Sequence, residues 1–165
     1  MNSDNNMSKM GLIELNLLEK GKISSFINYR IEYLEEMQGS LSNNYKEVLR
    51  ERLSAYFARA IDEGRFFGYV LKEDGKEVSF GGMVLKEIPG DIYKPLYIEG
   101  EILNMYTLPV ARKKGYSSAV LKALIDEAQR RGVSKISLHT SMDGEKLYRS
   151  FGFCEPVFPV LERVL

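Results

Sequence analysis

Apolar residues recur along this chain with two different periods, and the period changes near residue 65. Over residues 11–18 (G-L-I-E-L-N-L-L) they alternate in part, as in a half-buried strand. From 22 to 38 the positions Ile23, Ile27, Leu34 and Met37 fall at helical spacing, and Gly39 stands where that helix would stop. A second helix is predicted over 45–62, with Leu49, Leu53, Tyr56, Phe57 and Ala60 as its inner stripe and Gly64 closing it. Then F-F-G-Y-V-L-K and E-V-S-F-G-G-M-V-L, joined through E-D-G-K, read as a hairpin turning at Asp74-Gly75. After the loop I-P-G-D-I-Y-K-P a longer strand is expected over 97–107. Pro109 ends it, because proline cannot donate to a ladder.

The strongest helical pattern follows, up to Gly132. Lys122, Asp126 and Gln129 form its polar face, and apolar residues cover most of the rest, so it should lie against a sheet. Arg130 and Arg131 suit the negative end of its dipole, and Gly132 suits the residue just past it. A strand over 134–140, a short helix (D-G-E-K-L-Y-R-S-F) and a final strand (F-C-E-P-V-F-P-V) complete the reading. The order β-α-α-β-β-β-α-β-α-β gives an α/β to α+β class with a mixed sheet. A length of 165 residues suits one domain, read as 11–165 after a flexible polar tail over 1–10.

Composition narrows the function. The 23 basic and 23 acidic residues cancel, which argues against a nucleic-acid binder. Cys154 and His139 are single, so neither an internal disulfide nor the usual metal sites are expected. Cys154 reads as a small buried residue of the last strand, and His139 as a surface residue. No apolar run of membrane-spanning length and no signal-peptide pattern occurs, so a cytoplasmic protein without a membrane partner is expected.

The informative segment is Arg112-Lys113-Lys114-Gly115-Tyr116-Ser117-Ser118, between a strand and the long helix. Free amides at a helix start attract anions, a glycine lets the backbone come close, and serines there cap or donate. The combination suits a diphosphate, although a basic surface turn with serine caps has the same composition. Neither a Walker loop nor a dinucleotide fingerprint is present.

On these residues the chain resembles the GCN5-related N-acetyltransferase (GNAT) superfamily. Its [QR]-x-x-G-x-[GA] signature stands as Arg112-x-x-Gly115-x-Ser117, with Ser in the last position, after a typical Pro109. Leu147-Tyr148-x-x-x-Gly152-Phe153 resembles a second family block, with Ser141 where many members carry Asn. The resemblance implies a sheet splayed at two parallel strands (97–107 and 134–140) and flanked by about four helices. It implies acetyl-CoA as acyl donor, with its pyrophosphate on residues 113–118 and its pantetheine arm along Met105, Tyr106 and Thr107. Ser141 is a further coenzyme contact. An amide near Met105 or Tyr106 would stabilise the oxyanion, a contribution of roughly 2.7–4 kcal/mol.

Transfer to a primary amine would be direct, without an acyl-enzyme. Tyr148 matches the family's general acid for the departing thiolate. Glu101 matches the general base of some members, a carboxylate beside an apolar cleft having its pKa raised. Arg30 and Asn104 are the substrate candidates, with Glu32, Glu35 and Glu36 on the same predicted helix as Arg30. A small-molecule acceptor is expected rather than a protein, and dimers are frequent in the family. A non-catalytic acyl-CoA sensor on the same fold is the alternative, and a DNA-binding regulator is disfavoured by the neutral charge.

Overall fold

The computed structural model describes residues 11–165, and the tail expected over 1–10 lies outside them. Five strands form one sheet in the order β1 (Ile13–Leu17), β2 (Phe66–Glu73), β3 (Lys76–Pro89), β4 (Leu96–Thr107) and β5 (Lys135–Ser137). The first four are antiparallel neighbours, whereas β4 and β5 run parallel. The helices are α1 (Ile23–Gln38), α2 (Asn43–Asp62), α3 (Tyr116–Arg130) and α4 (Met142–Ser150). This is the expected mixed, mostly antiparallel sheet flanked by four helices.

Local chemistry sets the element ends. Asp74 and Gly75 turn the β2–β3 hairpin with φ of 50° and 76°, the left-handed pair that matches strand twist. Ser42 starts α2, its Oγ accepting from the Tyr45 N–H at 3.3 Å. Gly132, at φ 73°, stands just past α3 as expected. Arg130 and Arg131 do more than face a dipole: both hold the buried carboxylate of Glu127, Arg131 Nε at 2.6 Å.

The sheet separates two cores. On one side Phe26, Ile27 and Ile31 of α1 and Phe57 of α2 pack on Phe66 and Phe80. On the other, Val120, Leu121 and Leu124 of α3 pack on Phe67, Leu71, Met83 and Ile102. Gly81 and Gly82 let both layers approach. A Cβ at Gly81 would meet Val120 and Leu124 of α3 at 2.8 Å. One at Gly82 would meet the Phe66 ring at 2.6 Å and the Phe26 ring at 3.1 Å.

Three expectations are corrected. Met37 is 54% exposed, and the buried stripe of α1 is Ile23, Phe26, Ile27 and Ile31. The final strand expected from Phe153 does not form. Pro156 and Pro159 cannot donate to a ladder, and β5, at 3 residues, offers little edge to pair with. Cys154 therefore lies in irregular chain and is exposed, not buried in a strand.

Candidate active site

The site begins where the parallel pair parts. β4 pairs with β3 from Leu96 to Thr107 but with β5 only at Glu99–Lys135, Gly100–Ile136 and Glu101–Ser137. Beyond Glu101 the outer edge of β4 has no strand partner among the described residues. There β4 also carries a bulge: Gly82 faces Leu103 and Phe80 faces Tyr106, so Asn104 and Met105 together oppose Gly81. Asn104 takes φ 55°, a conformation that asparagine tolerates better than most side chains. The extra residue resets the pleat. Met105 packs with the α3 core, Tyr106 with the α1–α2 core, and Asn104 turns to α1, accepting a hydrogen bond from Arg30 Nη1.

The chain then makes a short helical turn, Pro109–Ala111, and enters α3. Lys113 (φ 62°) and Gly115 (φ 82°) are both left-handed, an alternation that turns successive amides to one side. Gly115 is the cap of α3, and no side chain caps it; Ser117 and Ser118, read as possible caps, lie inside the first turn. The Ala119 N–H reaches Gly115 O at 3.1 Å, but the amides of residues 113–118 donate to no acceptor among the described residues. Residues 112–115 are exposed, and no atom stands within 4 Å of where a Cβ of Gly115 would be.

Side chains around this loop are committed elsewhere. Lys114 Nζ lies 3.0 Å from both carboxylate oxygens of Glu73, and Tyr116 Oη donates to Glu73 at 2.6 Å. The phenol and then the ammonium hold Glu73 below the usual carboxylate range, and Glu73 in turn pushes Tyr116 up to about 12. The loop is thus pinned to the end of β2. Arg112 Nη2 donates to both oxygens of Glu36 at 2.8 and 2.9 Å, and Nε to Thr107 O at 3.0 Å. Its guanidinium also lies 5.7 Å from the Tyr106 ring centre. Arg112 therefore ties the loop to α1 and does not point its charge at the free amides. Lys113 makes no ion pair among the described residues.

Across the split stands α4, begun by Ser141, whose Oγ accepts from the Gly144 N–H at 3.3 Å. Tyr148 packs edge-on to Phe153 with ring centres 5.8 Å apart, and its hydroxyl has no partner among the described residues. Burial, and secondarily Tyr33 of α1, push the Tyr148 phenol up to about 12. Tyr33 also meets the Tyr106 ring edge at 6.1 Å. So α1, β4 and α4 converge at the opening. Half-buried Glu101 forms an ion pair with Lys86. Of the α1 acids, Glu35 is held by Lys46 at 2.7 Å, Glu36 by Arg112, and Glu32 is exposed. His139 is exposed, beyond the end of β5. Tyr33, Glu73 and Lys86 were not singled out in the sequence; only the i,i+3 spacing of Arg30 and Tyr33 signalled that the latter shares the site.

A mixed sheet whose parallel pair parts beside an uncapped helix start is the architecture of acetyl-CoA-dependent acyltransferases. The chain belongs to the GNAT acetyltransferase family: the model of the Acetyltransferase (GNAT) family matches residues 19–153. A Bacillus subtilis (strain 168) protein described as the uncharacterized N-acetyltransferase YsnE is 42% identical over 64 residues, 34% of this chain. That match spans 42% of the relative's own length. A structure described as a predicted acetyltransferase with acetyl-CoA, from Clostridium acetobutylicum, superposes with TM-score 0.78 at 22% identity. It covers 92% of this chain and 96% of its own. A GCN5-related N-acetyltransferase from Ralstonia eutropha JMP134 has TM-score 0.76 and 22% identity, covering 92% of this chain and 99% of its own. Among the described residues no helix is long and apolar enough to cross a membrane, and no group of three metal-binding side chains gathers.

Proposed function

We propose that the protein transfers the acetyl group of acetyl-CoA directly to the primary amine of a small molecule. The observation that carries this reading is the set of unpaired amides over residues 113–118, at the mouth of the β4–β5 split. Amides at a helix start, with the positive end of its dipole, bind a diphosphate. The free edge of β4 at Met105, Tyr106 and Thr107 then pairs with the pantetheine arm as a strand would. Arg112 acts by fixing the loop to α1, and Lys113 adds charge at its rim. Ser141, busy as a helix cap, contributes through the start of α4.

The chemistry follows from the order of charge movement. An ammonium cannot attack, so Glu101, directly or through a water, takes its proton; the ion pair with Lys86 positions the carboxylate. The amine nitrogen bonds to the thioester carbon, and an amide N–H of β4 near Met105 or Tyr106 stabilises the oxyanion. The carbon–sulfur bond breaks, Tyr148 gives its proton to the sulfur, and the proton that the nitrogen sheds in becoming an amide restores the phenol. A phenol pushed to about 12 stays protonated at neutral pH, as a proton donor must. Exposed Cys154 lies in the irregular C-terminal chain and takes no part.

Thiol release from acetyl-CoA, followed over a panel of amines, tests the reading. Release is expected to depend on the amine and to fall by about 10²–10⁴-fold in Tyr148→Phe, with CoA affinity retained. Tight CoA binding with no amine-dependent release from a broad panel would instead make the protein a sensor on the same fold.

A further inference from the structure

We propose that the acceptor carries an oxyanion, a carboxylate or a phosphate ester, and that Arg30 and Asn104 bind it beside the site of acetyl transfer. The proposal rests on the transferase reading above and names its substrate class.

Among the described residues two buried side-chain polar atoms lack a hydrogen-bond partner: Arg30 Nε and Asn104 Nδ2. Both are donors, and they belong to residues already bonded to each other through Arg30 Nη1 and Asn104 Oδ1. That bond fixes the Asn104 amide, because flipping it would set donor against donor. Asn104 is only 8% exposed and both donor atoms are closed to solvent, so an acceptor reaches them only as the side chains shift from the open Arg30 Nη2 side. Buried donors are ordinarily satisfied, and two adjacent orphans of the same polarity call for one acceptor with two oxygens.

The charge argues the same way. No carboxylate lies within ion-pair distance of Arg30 among the described residues, and the titratable side chains that act on it are the phenols of Tyr33 and Tyr56. Of the acids on α1, Glu35 pairs with Lys46 and Glu36 with Arg112, and exposed Glu32 makes no ion pair among the described residues. Burial lowers the guanidinium's basicity, yet arginine remains a cation at neutral pH. A bond to Asn104 Oδ1 alone needs only a neutral donor, so the charge has no protein partner that explains it. Arg30 Nη2 is neither hydrogen-bonded nor sealed from solvent, which leaves the fork open on one side. Placement completes the case. Arg30 lies one helical turn before Tyr33, which faces Tyr148, and Asn104 directly precedes Met105 on the free edge of β4.

The test uses the full chain with acetyl-CoA and three matched acceptor series: ω-amino acids of increasing length, their carboxamides, and ω-amino phosphates. An anion-ended series is expected to be acetylated with kcat/KM about ten- to hundredfold above the carboxamides, the range of a charge-assisted hydrogen bond. Whether carboxylates or phosphates lead identifies the oxyanion. Arg30→Gln should erase the preference, and Arg30→Lys, which keeps the charge but loses the fork, should recover only part of it. Equal turnover of acids and carboxamides by the wild type, or a preference that survives Arg30→Gln, overturns the proposal while leaving acetyl transfer intact. If no amine is acetylated, the transferase reading fails by itself. Heteronuclear NMR then decides: with CoA present, the Arg30 Nε–H resonance must shift with ω-amino carboxylate or phosphate and stay still with carboxamide. An unmoved resonance also overturns the proposal, and because it is read in the wild type it stands even if a variant fails to fold.

Discussion

Gly115 combines a left-handed backbone with open space beside its Cα. Its φ of 82° is a conformation that costs an L-residue roughly 1–2 kcal/mol, and the space beside its Cα is empty out to 4 Å. Gly115→Ala is therefore expected to lose about 1–2 kcal/mol in chemical denaturation and to raise the KM for acetyl-CoA, because the methyl stands over the open amides. A stability loss with unchanged KM would show that no ligand passes there. At this scale the sequence was informative where a residue type is itself the requirement. A glycine before serines, after a basic run, states what that turn needs. Arg112 shows the limit: its partner Glu36 lies 76 residues away, and nothing in its own neighbourhood reveals that the charge is already spoken for.

Among the elements, β4 carries most of the candidate site. Its strand character and ends were legible from hydrophobic patterning and Pro109, and so was the hairpin before it. The bulge was not. Counting alternate residues places Asn104 and Met105 on opposite faces, but it cannot reveal an extra residue in the ladder; the one trace is an asparagine, tolerant of positive φ, inside a strand. Deleting Asn104 should expose the consequence. Without the extra residue the pleat alternates evenly through Ile102, Leu103, Met105 and Tyr106, and each keeps its present face. The deletion is therefore expected to keep the near-ultraviolet circular dichroism of a fixed core while removing the hydrogen bond to Arg30. A deletion variant that loses that signal would mean that the bulge itself is needed for packing. The C-terminal strand was misjudged for a related reason: apolar content outweighed two prolines in the reading, but not in the fold.

For the molecule as a whole, the 23 basic and 23 acidic residues are neutral in sum but ordered in space. Glu73 binds the loop before α3 to β2 and Glu36 binds it to α1, two anchors on the same turn. Both carboxyls sit below their ordinary pKa, Glu73 through Tyr116 and Lys114, Glu36 through Arg112. The sign follows: their stabilisation is complete above the unfolded value of about 4.3 and is lost as pH falls through the lower folded values. Glu73→Gln should thus lower Tm at neutral pH, with the gap to wild type closing below about pH 4. A gap that stays constant down to about pH 3 would mean that the carboxylate charge contributes nothing. The order of elements and the mixed sheet were readable because hairpins and crossovers follow chain order. These anchors were not, since they join segments that only the finished fold brings together.

The bare start of α3 has one more implication, and it concerns the medium. If the proposed coenzyme sits on those N–H groups, small multivalent anions are expected to compete for them, because no side chain caps them. Coenzyme affinity would then be a property of the buffer as well as of the protein. Sulfate and phosphate are the expected competitors, and chloride at low ionic strength the appropriate reference state.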